Sequence, residues 1–199
     1  MSATTTTPPR VTVVMAVYNV AQFLRDAVDS VLAQTYRNFE LIIVDDCSTD
    51  RSAEILKIIS DPRVRVITHT ENKGAALSRN DALEHARGEM IAIMDADDIC
   101  APNRLEAQVA FLDTHPQVGL LGCGIYNVID ADGAVLYTMY QPEHNGTIQR
   151  TLMGKWCFLH PSIMFRREFY KLVGGYRKPF EPAEDHDFIL RVLEHCQAH

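Results

Sequence analysis

The feature that most constrains the fold is a regular alternation of apolar runs and amphipathic segments in the first half of the chain. Short runs rich in β-branched residues predict four buried strands, over residues 11–17, 39–45, 63–68 and 89–94. A segment with helical character follows each run, and these segments predict helices over residues 20–34, 50–60, 74–86 and 102–115. Four strand–helix units in succession indicate an α/β fold with a mostly parallel central sheet and helices on both faces.

The second half of the chain has a different pattern. Two apolar stretches, 118–129 and 134–140, flank an Asp-Ala-Asp-Gly turn and predict an antiparallel hairpin. A loop-rich stretch over 146–161 follows, and after it we expect a strand over 162–166 and helices over 168–173 and 184–197. We predict one domain over residues 11–199 after a flexible tail over 1–10. Because the last helix runs almost to the final residue, the sequence is compatible with a native chain that continues past residue 199.

Composition excludes several classes of protein. The 199 residues are 47% hydrophobic and 23% charged, as in an ordinary globular domain. A formal net charge of −7 argues against general electrostatic binding of nucleic acid. The longest strongly apolar stretch, 118–129, is too short to span a membrane. Five widely spaced cysteines fit a reducing compartment. We therefore expect a cytoplasmic protein whose contact with the inner face of the membrane, where it occurs, is peripheral.

Acidic side chains follow two of the predicted strands. Asp45 and Asp46 end the second strand, and Asp95, Asp97 and Asp98 end the fourth. Ligands of open α/β sheets bind outside the carboxyl ends of the strands, so both clusters should lie at one ligand-binding edge. Clustered carboxylates repel one another, and Asp-x-Asp offers hard oxygen ligands for Mg²⁺ or Mn²⁺, which in turn bind a diphosphate. The alternative is that these aspartates only cap the helices that follow, although three carboxylates exceed what capping needs.

Two further segments contain candidate functional residues. In Glu71–Asn80, small residues at a predicted helix start let a ligand approach the backbone, and a helix N-terminus favours anions. Lys73 and Arg79 can meet a phosphate or a base there; the alternative is a capped helix with a solvated arginine. The run Glu184–Asp187 opens the last predicted helix, where acidic residues are favourable to the helix dipole. Asp185 becomes a candidate general base only if this helix faces the Asp95 edge.

Taken in order along the chain, six segments resemble the family 2 glycosyltransferases, which have the GT-A nucleotide-sugar fold. The segments are VTVVMAVYN, ELIIVDDCSTD, ENKGAALSRNDAL, MIAIMDADD, GGYR and EDHDFILRV. Each motif alone is weak, but their order and spacing extend from Val11 to the last residues. The resemblance implies a nucleotide-binding half over residues 11–100 and a loop-rich acceptor and catalytic half over residues 101–199.

The resemblance implies donor-binding roles for seven residues. Four at the ends of the first two strands would hold the nucleobase, with Asp45 accepting a hydrogen bond from the ring N–H of the base: Val17, Tyr18, Asn19 and Asp45. Arg79 would lie along the nucleotide. Asp95 would contact the ribose or a metal-bound water, and Asp97 would ligate Mg²⁺ or Mn²⁺.

On the acceptor side, the resemblance makes Asp185 the catalytic base and gives Glu184 a part in placing the acceptor. Trp156 and His160 lie in the stretch KWCFLHPSIMFRR, which the family often uses near the acceptor. For a lone His or Trp, a packing role is the alternative.

The implied activity is that of a metal-dependent inverting glycosyltransferase. It would move a sugar from a nucleotide-diphospho-sugar, with uridine the expected base, to a hydroxyl of a carbohydrate or lipid-linked acceptor. The setting would be synthesis of polysaccharide, lipopolysaccharide or another glycoconjugate. No Gln/Arg-rich Trp motif follows Asp185, which favours non-processive transfer. Cys47 departs from the family pattern, which often has Gly there, and is tolerable unless the backbone needs a positive φ.

Three alternatives come from other classes. A nucleotidylyltransferase usually has a Gly-rich, basic loop after the first strand, but residues 16–20 contain neither Gly nor Lys. A receiver-type signalling domain would need a strand-end Lys, which is missing. A nucleotide-sugar-binding domain that has lost catalysis is the third, and the presence of Asp97 and Asp185 argues against it.

Overall fold

The computed structural model describes residues 8–130, 132–155 and 157–199. In the first half, four strands alternate with four helices in the predicted order. The strands are β1 (Val11–Val17), β2 (Phe39–Asp45), β3 (Val64–Thr68) and β4 (Met90–Asp95). The helices are α1 (Ala21–Leu32), α2 (Ser52–Lys57), α3 (Ala75–Glu84) and α4 (Arg104–Thr114). The predicted alternation is confirmed, with helices that are shorter at their ends.

The second half adds shorter elements to this frame. Its strands are β5 (Val118–Leu121), β6 (Ile125–Ile129), β7 (Val135–Tyr140), β8 (Met164–Arg166) and β9 (Gln197–Ala198). Its α-helices are α5 (Asn145–Leu152), α6 (Arg167–Val173) and α7 (Glu184–Leu193). Single 3₁₀ turns at His160–Ser162 and Lys178–Phe180 precede β8 and α7.

The central sheet has seven strands in the order β3-β2-β1-β4-β8-β5-β9. Its first four strands are mutually parallel, β8 runs antiparallel to both β4 and β5, and β9 is parallel to β5. The α/β class with a mostly parallel sheet is therefore confirmed. The carboxyl ends of β2, β1 and β4 lie side by side, so the polar residues that follow these strands share one edge.

Both faces of the sheet are covered. Alternate residues of β1 point to opposite faces, so Val13 and Met15 join one core cluster and Val14 joins the other. The first cluster contains buried residues of α1 and α4, such as Leu24. The second contains residues of α3, α5 and α7, such as Phe188. This packing fixes α7, and with it Asp185, against the sheet.

The predicted hairpin over 118–129 and 134–140 is only partly right. The first stretch divides at Gly122 and Gly124: β5 is fully buried in the central sheet, whereas β6 pairs with β7 in a separate two-stranded sheet. Glycine weakens a strand and marks a bend, which explains the division. In the turn, Asp130 Oδ1 accepts hydrogen bonds from the N–H groups of Asp132 and Ala134.

Two further corrections concern the chain after residue 140. Helix α5 forms where a loop was expected, because Ile148 and Leu152 are four residues apart and bury one helical face. Helix α7 ends at Leu193 and not at residue 197, because Gln197–Ala198 pairs with β5. Sequence periodicity alone does not show that an edge position beside β5 competes for these residues.

Residues 1–7 of the predicted tail lie outside the described residues. Arg10, the last residue of that predicted tail, is tied to the domain: its N–H donates to Asn38 O, and its carbonyl accepts from Met90 N–H. Among the helices that the structure describes, none has both the length and the apolar character needed to cross a bilayer.

Candidate active site

The site is built at the carboxyl edge of the parallel strands. In the register of the sheet, Asp45 lies opposite Val17, and Asp95 lies opposite Ala16. The two predicted acidic clusters therefore flank the end of β1, as strand order requires. Buried apolar strands hold these positions rigidly, which suits a site that must orient a ligand.

Asp95, Asp97 and Asp98 form a tight acidic group just after β4. One oxygen from each carboxylate lies within 4.8 Å of the others. Burial, and then the neighbouring charges of Asp95 and Asp97, raise the pKa of Asp98 to about 6. The part of this shift that comes from Asp95 and Asp97 reflects repulsion among the three carboxylates. Hard carboxylate oxygens at this spacing fit a divalent cation such as Mg²⁺ or Mn²⁺.

Arg79 connects this group to α7. Its guanidinium donates to Asp95 Oδ1 (3.1 Å) and to Glu184 Oε1 (2.9 Å). Burial works to lower the pKa of Arg79, but the neighbouring charges, Asp95 first among them, raise it overall. The arginine is buried and paired, so the alternative of a solvated arginine is wrong. The other oxygen of Glu184, Oε2, is buried and has no hydrogen-bond partner in the part of the chain that the structure describes.

A cavity of about 360 Å³ is lined by both Asp95 and Asp185. Helix α7 therefore faces the Asp95 edge, which is the condition that the general-base role of Asp185 requires. Burial raises the pKa of Asp185, and the adjacent Glu184 acts in the same direction. The rest of the lining comes from the β6–β7 sheet and the loop before β8: Tyr126, Met139, Gln141, Phe158, Leu159, His160 and Pro161.

His160 is a buried member of this wall. Its Nε2 lies 2.9 Å from the hydroxyl of Tyr176, and the two rings meet edge to face. Burial, and then the charge of Arg79, hold the pKa of His160 well below its usual range, so the imidazole is neutral. His160 thus lines the cavity, as the resemblance implied, and also packs against Tyr176, as the alternative stated. Trp156 lies outside the described residues.

The predicted nucleobase residues cluster at the ends of β1 and β2, but they do not line the cavity that contains Asp185. Asp45 is buried, and its Oδ1 accepts a hydrogen bond from Ser48 N–H (3.1 Å). Tyr18 is about half exposed. Asn19 is committed to the loop after β2: its Oδ1 accepts from the N–H groups of Thr49 (2.8 Å) and Asp50 (3.3 Å).

Cys47 lies in the same loop and has a φ of +64°. This is the left-handed conformation that favours glycine, so the condition under which Cys is not readily tolerated is met. Cys47 therefore holds a backbone conformation that glycine would adopt without strain.

The start of α3 does not present its backbone to an external anion as expected. Gly74 has a φ of +93°, and the carboxylate of Glu181 accepts a hydrogen bond from Ala76 N–H (3.2 Å). A Cβ on Gly74 would lie 2.8 Å from Glu181 Oε1, so glycine is needed for this close approach. Lys73 pairs with Asp81 (3.2 Å). The chain's own carboxylate therefore occupies the position where a phosphate was one expectation.

Asp46 and Asp187, two other acidic residues of the motifs, are structural. Asp46 accepts from the N–H groups of Lys73 (2.9 Å) and Gly74 (2.8 Å) and pairs with His69 (2.7 Å). Asp187 pairs with Arg177 and Arg191, and these bonds hold its pKa below the usual range despite the opposing effect of burial. Asp185 is thus the acidic residue at the start of α7 that lines the cavity.

Some features of the site were not predicted from the sequence. Asp98 was expected in the acidic group, but its raised pKa was not, because that shift depends on burial that the sequence does not show. The wall residues Tyr126, Met139 and Gln141 follow from the position of the β6–β7 sheet beside Asp95, and their sequence signal was the predicted hairpin, which does not reveal its place in the fold. Phe158 was not named as a site residue, but it lies in the stretch KWCFLHPSIMFRR that the resemblance placed near the acceptor.

Solved structures share this architecture. S. aureus TarS 1-349 in complex with UDP-GlcNAc superposes with a TM-score of 0.78 at 24% identity, over 95% of this chain and 55% of that one. At this identity the match shows the fold alone, which is of the GT-A type. The mannosyltransferase PcManGT from Pyrobaculum calidifontis, in complex with GDP-Man and Mn²⁺, has a TM-score of 0.73 at 25% identity, over 97% and 55% of the two chains.

Sequence comparison gives the family. EpsE of Bacillus subtilis (strain 168) is 36% identical over 195 residues, covering 94% of this chain and 67% of its own length. The O-antigen biosynthesis glycosyltransferase WbnJ of Escherichia coli is 34% identical over 190 residues, covering 94% and 72%. The chain thus spans about two thirds of these relatives and about half of each solved chain. The family model described as Glycosyl transferase family 2 matches residues 12–174. The chain belongs to glycosyl transferase family 2.

Proposed function

We propose that this chain is the donor-binding and catalytic part of an inverting glycosyltransferase that uses a nucleotide-diphospho-sugar. The observation that carries the proposal is the cavity of about 360 Å³ in which Asp95 and Asp185 are exposed together. One carboxylate belongs to a group suited to a cation, and the other has a pKa raised by burial. In this cavity the diphosphate of the donor would lie near the group suited to a cation, and the acceptor hydroxyl would lie near the carboxylate that can take its proton.

On the donor side, Asp97 would hold a divalent cation with help from Asp95 and Asp98. When bound, the cation would offset the charge that builds on the leaving nucleoside diphosphate. The Mn²⁺ named with the mannosyltransferase and the UDP-GlcNAc named with TarS support this assignment by similarity. A UDP-sugar is the donor that we expect.

The nucleobase would lie at the ends of β1 and β2, against Val17, Tyr18 and Asp45. Asn19 would act there indirectly, because it shapes the loop after β2. Arg79 would reach the nucleotide only from its position between Asp95 and Glu184, so its first task is to hold these two carboxylates in place.

On the acceptor side, Asp185 would take the proton from the attacking hydroxyl. A raised pKa makes Asp185 a better proton acceptor than an ordinary carboxylate. One base and one stabilised leaving group suffice for a single displacement, which inverts the anomeric centre. A second carboxylate nucleophile is not required.

Two residues at or next to the cavity would help to position the acceptor. Glu184 does not line the cavity, and it would act indirectly, through its place beside Asp185 and its ion pair with Arg79. Neutral His160 would shape the wall through Tyr176. The acceptor would be a carbohydrate or a lipid-linked molecule, in synthesis of polysaccharide or lipopolysaccharide at the inner face of the membrane. This assignment rests on similarity to WbnJ, an O-antigen biosynthesis glycosyltransferase.

Calorimetric titration tests the proposal. UDP-GlcNAc, GDP-mannose and the free nucleoside diphosphates are each titrated with and without Mn²⁺ into the wild type, Asp97→Asn and the exposed control Asp26→Asn. We expect one nucleotide to bind in a Mn²⁺-dependent manner to the wild type and the control, and at least tenfold more weakly to Asp97→Asn. If the affinity for the nucleotide changed neither on addition of Mn²⁺ nor in Asp97→Asn, the proposed cation site would be wrong. Binding without release of nucleoside diphosphate under any condition would favour the inactive nucleotide-sugar-binding domain.

A further inference from the structure

An asparagine of α3 binds the backbone of the segment that leads into α7, beside attachments made by Arg177, Lys178, Glu181 and Arg191. Asn80 Nδ2 donates to the carbonyl of Tyr176 (2.8 Å), and Tyr176 N–H donates to Asn80 Oδ1 (2.8 Å). The amide side chain thus makes with one residue the two hydrogen bonds that a neighbouring strand would make. A Cβ on Gly175 would lie 2.1 Å from Asn80 Oδ1, so only glycine permits this approach.

Tyr176 transmits this attachment to both sides of the cavity. Its hydroxyl lies 2.9 Å from His160 Nε2 in the cavity wall. Its ring packs against Phe188 of α7, with ring centroids 4.6 Å apart. Tyr176 is almost fully buried, so a shift of its backbone would displace both contacts.

The next residue along α3 makes the second attachment. Arg79 binds Glu184, the first residue of α7. Two consecutive residues of α3 therefore contact the segment 174–184 near its beginning and at its end, and between them Lys178 Nζ donates to Lys73 O (2.7 Å) and Glu181 accepts from Ala76 N–H (3.2 Å). Asp185 follows directly, and its Oδ1 accepts a local hydrogen bond from His186 N–H (2.7 Å). Its position in the cavity depends on where the segment places the start of α7.

We propose that Asn80 is a positioning residue that sets Asp185 against the Asp95 group. The inference rests on the proposed function, because it gives Asn80 a part in the same reaction. Asn80 does not line the cavity and so acts only through Tyr176 and the start of α7. A carboxylate cannot replace it: Asp at position 80 would still accept from Tyr176 N–H but could not donate to Tyr176 O, and would face that carbonyl with negative charge.

Two variants break the attachment from opposite sides. Asn80→Asp removes the donor, and Gly175→Ala forces Asn80 away from Tyr176. The matched controls are Asn38→Asp, at an exposed position just before β2, and Gly146→Ala, where a Cβ would meet nothing within 4 Å. Each protein is compared with the wild type by hydrogen exchange of the segment 176–189, by donor Kd, and by release of nucleoside diphosphate from the donor.

We expect both variants to exchange the amides of the segment 176–189 at least tenfold faster and to release nucleoside diphosphate at least tenfold more slowly. The donor Kd should stay within twofold of the wild type, and both controls should match the wild type. In an Asp185→Asn background, Asn80→Asp should lower turnover by less than twofold more, because its effect passes through Asp185.

Three results would overturn the inference: unchanged exchange, unchanged turnover beside faster exchange, or a full additional loss in the Asp185→Asn background. Should the wild type itself release no nucleoside diphosphate from any donor, the proposed function fails. In that case the exchange data still decide whether Asn80 fixes the start of α7. Should Asn80→Asp not fold, Gly175→Ala carries the comparison.

Discussion

Replacing Asp98 by Asn should stabilise the protein, and only above a certain pH. In the folded chain, burial and the charges of Asp95 and Asp97 raise the pKa of Asp98 from 3.8 to about 6. In the unfolded chain the same carboxyl ionises near its ordinary value. Folding at neutral pH therefore places an ionised Asp98 in surroundings that disfavour its charge, and this lowers the free energy of unfolding.

The magnitude follows from the two pKa values. Each tenfold change in proton affinity is worth about 1.4 kcal/mol, so a difference of about two gives an upper bound of about 3 kcal/mol. Asp98 is partly exposed, and solvent screening reduces this figure to about 1–2 kcal/mol. The penalty is fully present above the folded-state pKa of about 6, shrinks as the pH falls, and disappears below 3.8, where the carboxyl is protonated in both states.

Urea unfolding of the wild type, Asp98→Asn and the exposed control Asp26→Asn at pH 7.5 and pH 4.5 measures this effect. We expect Asp98→Asn to gain about 1–2 kcal/mol at pH 7.5 and clearly less at pH 4.5, with no gain in the control. Excess Mn²⁺ should reverse the order at pH 7.5, because a cation would offset the repulsion only where Asp98 is charged. An equal gain at both pH values, or none at pH 7.5, would refute the reasoning.

Three other changes test separate parts of the structure by urea unfolding. Cys47→Gly should stabilise by about 0.5–1 kcal/mol, because a non-glycine residue at φ +64° is strained, while Cys47→Ala should bring no gain; equal effects would contradict the assigned backbone. Arg79→Met should cost about 3 kcal/mol by leaving Asp95 and Glu184 unpaired, and a loss below about 1 kcal/mol would show that the pairs carry little. Gly88→Ala should destabilise by more than about 2 kcal/mol, because a Cβ would lie 2.5 Å from the Thr12 backbone, and loss-free substitution there would contradict the packing.

The first half of the fold could be predicted because its elements follow from local pattern. The run of β1 is apolar except for Thr12, and α1 alternates apolar and polar residues with helical period, so each pattern can be read without knowledge of distant segments. The common edge of Asp45 and Asp95 then follows from parallel strand order alone. No tertiary information was needed for these steps.

The rest depended on competition between distant segments. Val118–Leu121 and Ile125–Ile129 look alike in sequence, but only the first finds a place between β8 and β9 in the sheet. Residues 197–198 leave the helical pattern because β5 offers them an edge. Which sheet each segment joins depends on segments that are distant in sequence. The periodicity of the segment itself carries no information about them.

The candidate site divides in the same way. The position of Asp95 and Asp97 at the ligand-binding edge could be predicted from the strand that precedes them, whereas the position of Asp185 beside that edge could be stated only as a condition. The Arg79–Glu184 ion pair and the carboxylate of Glu181 at the start of α3 could not be predicted, because each joins residues 105 positions apart. Gly74 was a local signal for the approach of Glu181.

The role of Asp185 is the central claim, and one paired measurement tests it most directly. Release of nucleoside diphosphate and donor Kd are measured side by side for the wild type and Asp185→Asn, with a working acceptor or with water as the acceptor. Asn cannot accept the proton, so turnover should fall by about two to four powers of ten. The donor Kd should stay within about twofold, because Asp185 acts on the acceptor. Near-normal turnover with normal donor binding in Asp185→Asn would contradict the account.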